Sequence, residues 1–80
     1  MRKPAILITG SNGEIGKDLI TALHNTTNIS IITLDLNQLD SSISKYATEE
    51  ITGNILDMDL IDQLNGEYEF VNIYHLAALL

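Results

Sequence analysis

The sequence has no cysteine, no tryptophan and one proline, and only four basic residues stand against eleven acidic ones. Without cysteine, disulfides, thiolate metal sites and a cysteine nucleophile are excluded. A formal charge of −7 at pH 7 repels a polyphosphate instead of collecting its counterions, which argues against a nucleic-acid partner. No apolar run approaches the roughly 18 residues of a membrane span. The apolar stretch after Met1-Arg2-Lys3-Pro4 is too short for a signal-peptide core. The cytoplasm is the expected address, and the sequons at Asn25 and Asn28 then read as turn residues. Eighty residues, 45% hydrophobic and 19% charged, fit one small folded core without room for a second module.

What remains is an alternation of strand and helix signals. Ala5-Ile6-Leu7-Ile8 is a short apolar run of the kind buried on both faces of a parallel sheet, and it ends in Thr9-Gly10-Ser11-Asn12-Gly13. From Glu14 to about His24, Ile15, Leu19, Ile20, Ala22 and Leu23 recur at helical spacing. Ile29 to Leu34 is β-branched and apolar, and Asp35 closes it. Residues 37–44 predict a loop or short helix, and Tyr46 to Thr52 a third strand. Asp57 to Leu64 predicts a helix capped by Asp57 or Asn54 and stopped by Asn65-Gly66. Phe70 to Leu76 is a fourth strand running into Ala77-Ala78. Parallel neighbours can be reached only through crossovers. The expected fold is therefore α/β, the N-terminal half of a doubly wound (Rossmann) parallel sheet of strand order 3-2-1-4, with its crevice where the order reverses beside strand one.

Gly10, Gly13 and Gly16 sit three residues apart between the first strand and the first helix. Gly10 allows a sharp turn, Gly13 removes a side chain where phosphates approach the backbone, and Gly16 is expected to let the helix lie close on the sheet. The N–H groups near Glu14 and Ile15 would then face a pyrophosphate at the positive end of the helix dipole. The G-x-x-G-x-x-G spacing differs from the G-x-G-x-x-G form, yet its context is complete: strand before, helix after, and an acid, Asp35, nineteen residues past Gly16. A carboxylate there accepts from both ribose hydroxyls and repels a 2′-phosphate, which favours NAD over NADP.

Other chemistries fit less well. A P-loop needs four residues between its first glycine and Gly-Lys, whereas five separate Gly10 from Gly16-Lys17, and Asp18 stands where a magnesium-holding hydroxyl is required. Asp57, Asp59 and Asp62 fit no EF-hand spacing and suit the first turn of a helix. Ser41, Ser42 and Ser44 have no histidine partner for a triad. His75 reads as a hydrogen-bonded residue of the sheet edge and His24 as a helix-end residue.

In four places the chain resembles the extended short-chain dehydrogenase/reductase family, the NAD-dependent epimerase/dehydratases. These are Thr9-Gly10-Ser11-Asn12-Gly13-Glu14-Ile15-Gly16, Leu34-Asp35, Gly53-Asn54-Ile55-Leu56-Asp57 and His75-Leu76-Ala77-Ala78. With Leu79-Leu80 added, the last looks most like the L-threonine 3-dehydrogenase branch related to UDP-galactose 4-epimerase. The resemblance implies an NAD site in which the turn Gly10, Ser11, Asn12, Gly13, Glu14, Ile15 and Gly16 receives the pyrophosphate through its backbone from Asn12 to Ile15. It implies that Asp35 holds the adenosine ribose, Asn54 and Ile55 flank the adenine, and Leu76, Ala77 and Ala78 line the cleft. Asn54 stands where many relatives carry Asp; its carbonyl still accepts, without charge.

The family's Tyr-x-x-x-Lys pair is missing: Tyr46 is followed by Glu50, Tyr68 by Asn72 and Tyr74 by Ala78. The expectation is an incomplete NAD-binding Rossmann domain over residues 1–80, with no catalytic residue and no metal, the N-terminal piece of an enzyme transferring hydride at a secondary alcohol. The alternatives are a noncatalytic dinucleotide-binding or interaction module, or a truncated product without a role of its own. The long uncharged fourth strand is expected to drive self-association.

Overall fold

The computed structural model describes residues 2–76. Its elements run β1 (Lys3–Thr9), α1 (Glu14–Thr26), β2 (Ser30–Asp35), α2 (Ser41–Ser44), β3 (Glu49–Thr52), α3 (Met58–Glu67) and β4 (Tyr68–His75). The four strands form one sheet of order β3-β2-β1-β4. Every pairing is parallel. The expected strand order is therefore present, with β1 at the point where the order reverses.

Alternation along the central strands explains why both faces are covered. Ala5 and Leu7 of β1 join Ile32 and Leu34 of β2 in one core, with Leu64 of α3 and Tyr68. Ile6, Ile8 and Ile31 point the other way and pack with Ile20 of α1, Ile43 of α2 and Leu39 just before it. Successive strand side chains face opposite sides, so a continuous apolar run is stable only between two helical layers. Pairing of β1 with β4 slips once, where Ala5 faces Phe70 but Ile6 faces Asn72. Val71 is the extra residue, a local bulge in the strand.

Several details depart from expectation: α1 runs on to Thr26, so Asn25 is helical and not a turn residue, and β4 begins at Tyr68 instead of Phe70. The third strand is only Glu49–Thr52; Tyr46 instead stacks on His24 with ring centroids 4.5 Å apart. Asn65-Gly66 does not stop α3, which runs through Gly66 to Glu67 and passes into β4 with no connecting residue. Gly66 is exposed and meets nothing nearby, so a side chain is neither needed nor excluded there, and burial of Leu64 and Tyr68 on either side fixes the path. Ile15 is not a core residue of α1, being 72% exposed.

Candidate functional site

β1 ends at Thr9, and the chain turns at Gly10 with φ of 69°, a left-handed conformation that costs an L-residue with a Cβ roughly 1–2 kcal/mol. The turn is pinned to the neighbouring strand by the Gly10 N–H, which donates to the Leu34 carbonyl at 2.9 Å. Helix α1 then begins on Gly13, which offers no side chain to cap it. Its first internal bond is Lys17 N–H to the Gly13 carbonyl at 3.0 Å, so the N–H groups ahead of Lys17 have no intrahelical acceptor.

The three glycines answer to different demands. A Cβ on Gly16 would lie within 2.7 Å of the Ser11 Cα and carbonyl carbon, so the start of the helix presses on the backbone of the turn. A Cβ on Gly13 would meet only the Gly10 carbonyl, at an ordinary 3.8 Å. Gly13 is also extended, with φ of −70° and ψ of 166°. Neither space nor backbone conformation within the protein calls for glycine at position 13. Between Gly10 and Gly13 lies Ser11, fully buried, whose hydroxyl is the only buried side-chain polar atom among the described residues without a hydrogen-bond partner.

Asp35, at the end of β2, stands beside this turn. Its Oδ2 accepts the Asn12 N–H at 3.1 Å and its Oδ1 the Asn37 N–H at 2.9 Å. Each carboxylate oxygen keeps a further lone pair for an outside donor. A cavity of about 390 Å³ opens here, and Gly10, Asp35, Asn54 and Ile55 all line it. Residues about 20 to 45 positions apart thus share one wall because the parallel strands β1, β2 and β3 all end on the same side. Leu36 and Leu56, 68% and 74% exposed, also line the cavity. Neither is assigned a site role by the sequence; the signal is an exposed apolar residue in the loop that follows each strand.

Other expected positions fall differently. Asn54 Oδ1 accepts the Leu56 N–H at 2.9 Å, so its carbonyl shapes the loop and has one lone pair left for a base. Glu14 and Ile15 project from the first turn of α1, both exposed. Leu76 donates its N–H to the Thr9 carbonyl at 2.9 Å and packs half-buried against the core under α1. Ala77 and Ala78 lie outside the described residues. Thr9 Oγ1 and His75 Nδ1 share a 2.6 Å hydrogen bond, tying the ends of β1 and β4 together.

The charges around the site are few. Asp40, which caps α2 by accepting the Ser42 N–H, is held down at a pKa of about 2, first by that bond and then by Lys17, whose Nζ lies 3.0 Å away. Among the described residues no cluster of three metal-ligating side chains occurs, and no helix is long and apolar enough to cross a membrane. The family model described as "NAD dependent epimerase/dehydratase family" matches residues 6–80. No curated protein matches the chain.

Proposed function

The chain belongs to the NAD-dependent epimerase/dehydratase family, and from that premise we propose that its glycine turn and Asp35 bind the ADP half of NAD, in preference to NADP. The family implies a nicotinamide dinucleotide, which when bound supplies a hydride acceptor. The residues present fit such a group. The uncapped start of α1 offers N–H donors to a diphosphate. Asp35 accepts from ribose hydroxyls, and its charge opposes a 2′-phosphate. Leu36, Ile55 and Leu56 provide apolar walls for a base, with Asn54 at its edge.

The observation that carries this proposal is Gly13. The protein's own packing tolerates a Cβ at that position, so the missing side chain serves something outside the chain, and a phosphate group approaching the backbone is what the surrounding N–H groups would receive. Gly13→Val should therefore keep the fold, at the modest cost of a poorer helix N-cap, while losing NAD affinity at least tenfold. Calorimetric titration of both proteins, with thermal melts alongside, tests it; equal affinities would refute the site.

These residues bind and orient, and proton transfer is not theirs. Tyr68 donates to Glu49, Tyr46 stacks on His24, and Tyr74 packs in the core under α1. None of the three lines the cavity beside Asp35, and none has a lysine four residues later. We propose that the chain alone binds the dinucleotide without oxidising a secondary alcohol. NADH formation by the chain with such alcohols would contradict that. The chemistry that family membership favours is hydride transfer; a noncatalytic dinucleotide-binding module is the second reading, supported by the same tyrosine placement.

A further inference from the structure

The glycine turn and the segment following β2 are joined by one side chain. Asn12 Nδ2 donates to the Gln38 carbonyl at 2.8 Å and to the Asn37 carbonyl at 3.4 Å. Its Oδ1 accepts the Asp40 N–H at 2.8 Å, and its backbone N–H donates to Asp35 Oδ2 at 3.1 Å. Asp40 is in turn paired with Lys17 of α1 at 3.0 Å. A residue that the glycine spacing leaves unspecified thus grips the chain from Asp35 to Asp40, more than twenty residues away.

We propose that Asn12 is a positioning residue for dinucleotide selectivity, a latch that fixes Asp35 and residues 36–40 against the glycine turn so that the ribose and diphosphate subsites form as one rigid unit. This rests on the proposed function above. A carboxylate held at both oxygens, by Asn12 N–H and Asn37 N–H, cannot swing aside for a 2′-phosphate. The loop beside it cannot recede while three side-chain bonds from Asn12 hold it. Lys17, paired with Asp40, is kept from turning toward an added phosphate. With the latch open, the loop samples other positions, and apparent NAD affinity falls by the fraction of time the competent arrangement is lost. A 2′-phosphorylated ligand loses less, because the latched arrangement never suited it.

The test titrates the full chain and Asn12→Ala with NAD and with NADP. Asn12→Ala should bind NAD about tenfold more weakly, in line with the loss of a few partly exposed hydrogen bonds, while NADP affinity changes less than threefold. The preference then narrows. A residue that only stabilised the fold would weaken both ligands in proportion. Asn12→Leu, with the same branched skeleton of side-chain heavy atoms and unable to form any of the side-chain bonds, gives a second reading if Asn12→Ala does not fold. Lys17→Met should narrow the preference in the same direction by a smaller factor, and the double variant should fall short of the product of the two because both act through Asp40. An unchanged NAD-to-NADP ratio in a folded Asn12 variant would overturn the latch and leave the NAD site standing. Failure of the unsubstituted chain to bind either dinucleotide would overturn the site and the latch with it.

Discussion

Gly13 and Gly16 are one turn of helix apart, and a single methyl group should separate their roles. At Gly16 it would enter the Ser11 backbone, which cannot give way as a flexible side chain would. Overpacking of this kind costs about 1–3 kcal/mol, so Gly16→Ala should lower the melting temperature by roughly 4–8 °C for each kcal/mol in a domain of this size, as a thermal unfolding curve will read. An unshifted midpoint would mean that α1 and the turn are not in the contact described. The sequence showed three evenly spaced glycines and the acid that follows them, because those signals are local. It did not show which glycine the protein needs for itself. Nor did it show the Asn12 bonds, since contacts spanning 23 to 28 residues exist only after β1 and β2 have paired. Ile15 satisfied the helical periodicity and still faces outward, because α1 meets the core only further along, at Leu19, Ile20 and Leu23.

The order of helices and strands followed directly from the periodicity, and the errors lie at junctions where burial outweighs local preference. Asn65-Gly66 carries a stop signal that the buried pair Leu64 and Tyr68 overrides. Tyr68 also makes this junction sensitive to alkali. Its hydroxyl is bonded to Glu49, and that bond, then burial, pushes its pKa up to about 12 from 10.0. Between those values an unfolded chain gives up the phenolic proton while the folded one keeps it. The contribution is thus complete below pH 10 and is lost as pH rises toward 12. Urea midpoints measured from pH 9 to 11.5 should fall more steeply for the unsubstituted chain than for Tyr68→Phe. Parallel slopes would show that the Tyr68–Glu49 bond does not hold the proton.

The two outer strands of the molecule are unequal. β3 has four residues and carries Glu49 and Glu50, a short and charged edge of the kind that resists further pairing. β4 has eight, with Glu69 as its only charge, and exposes Val71 and Ile73; among the described residues it has β1 as its sole neighbour. This long apolar edge was legible in the sequence as an uncharged run, whereas the Val71 bulge was not, since a slip in register belongs to the pair and not to either strand. The chain should associate as its concentration rises, and Ile73→Lys should keep it monomeric. Sedimentation velocity across a hundredfold concentration range checks both, and a lone monomer throughout would remove the edge as an interface. The direct passage from α3 into β4 has a practical outcome for anyone cutting or re-joining this polypeptide. With no slack between Glu67 and Tyr68, a protease finds no exposed hairpin to nick there, and an inserted tag or a new terminus at that point would pull the helix from the sheet.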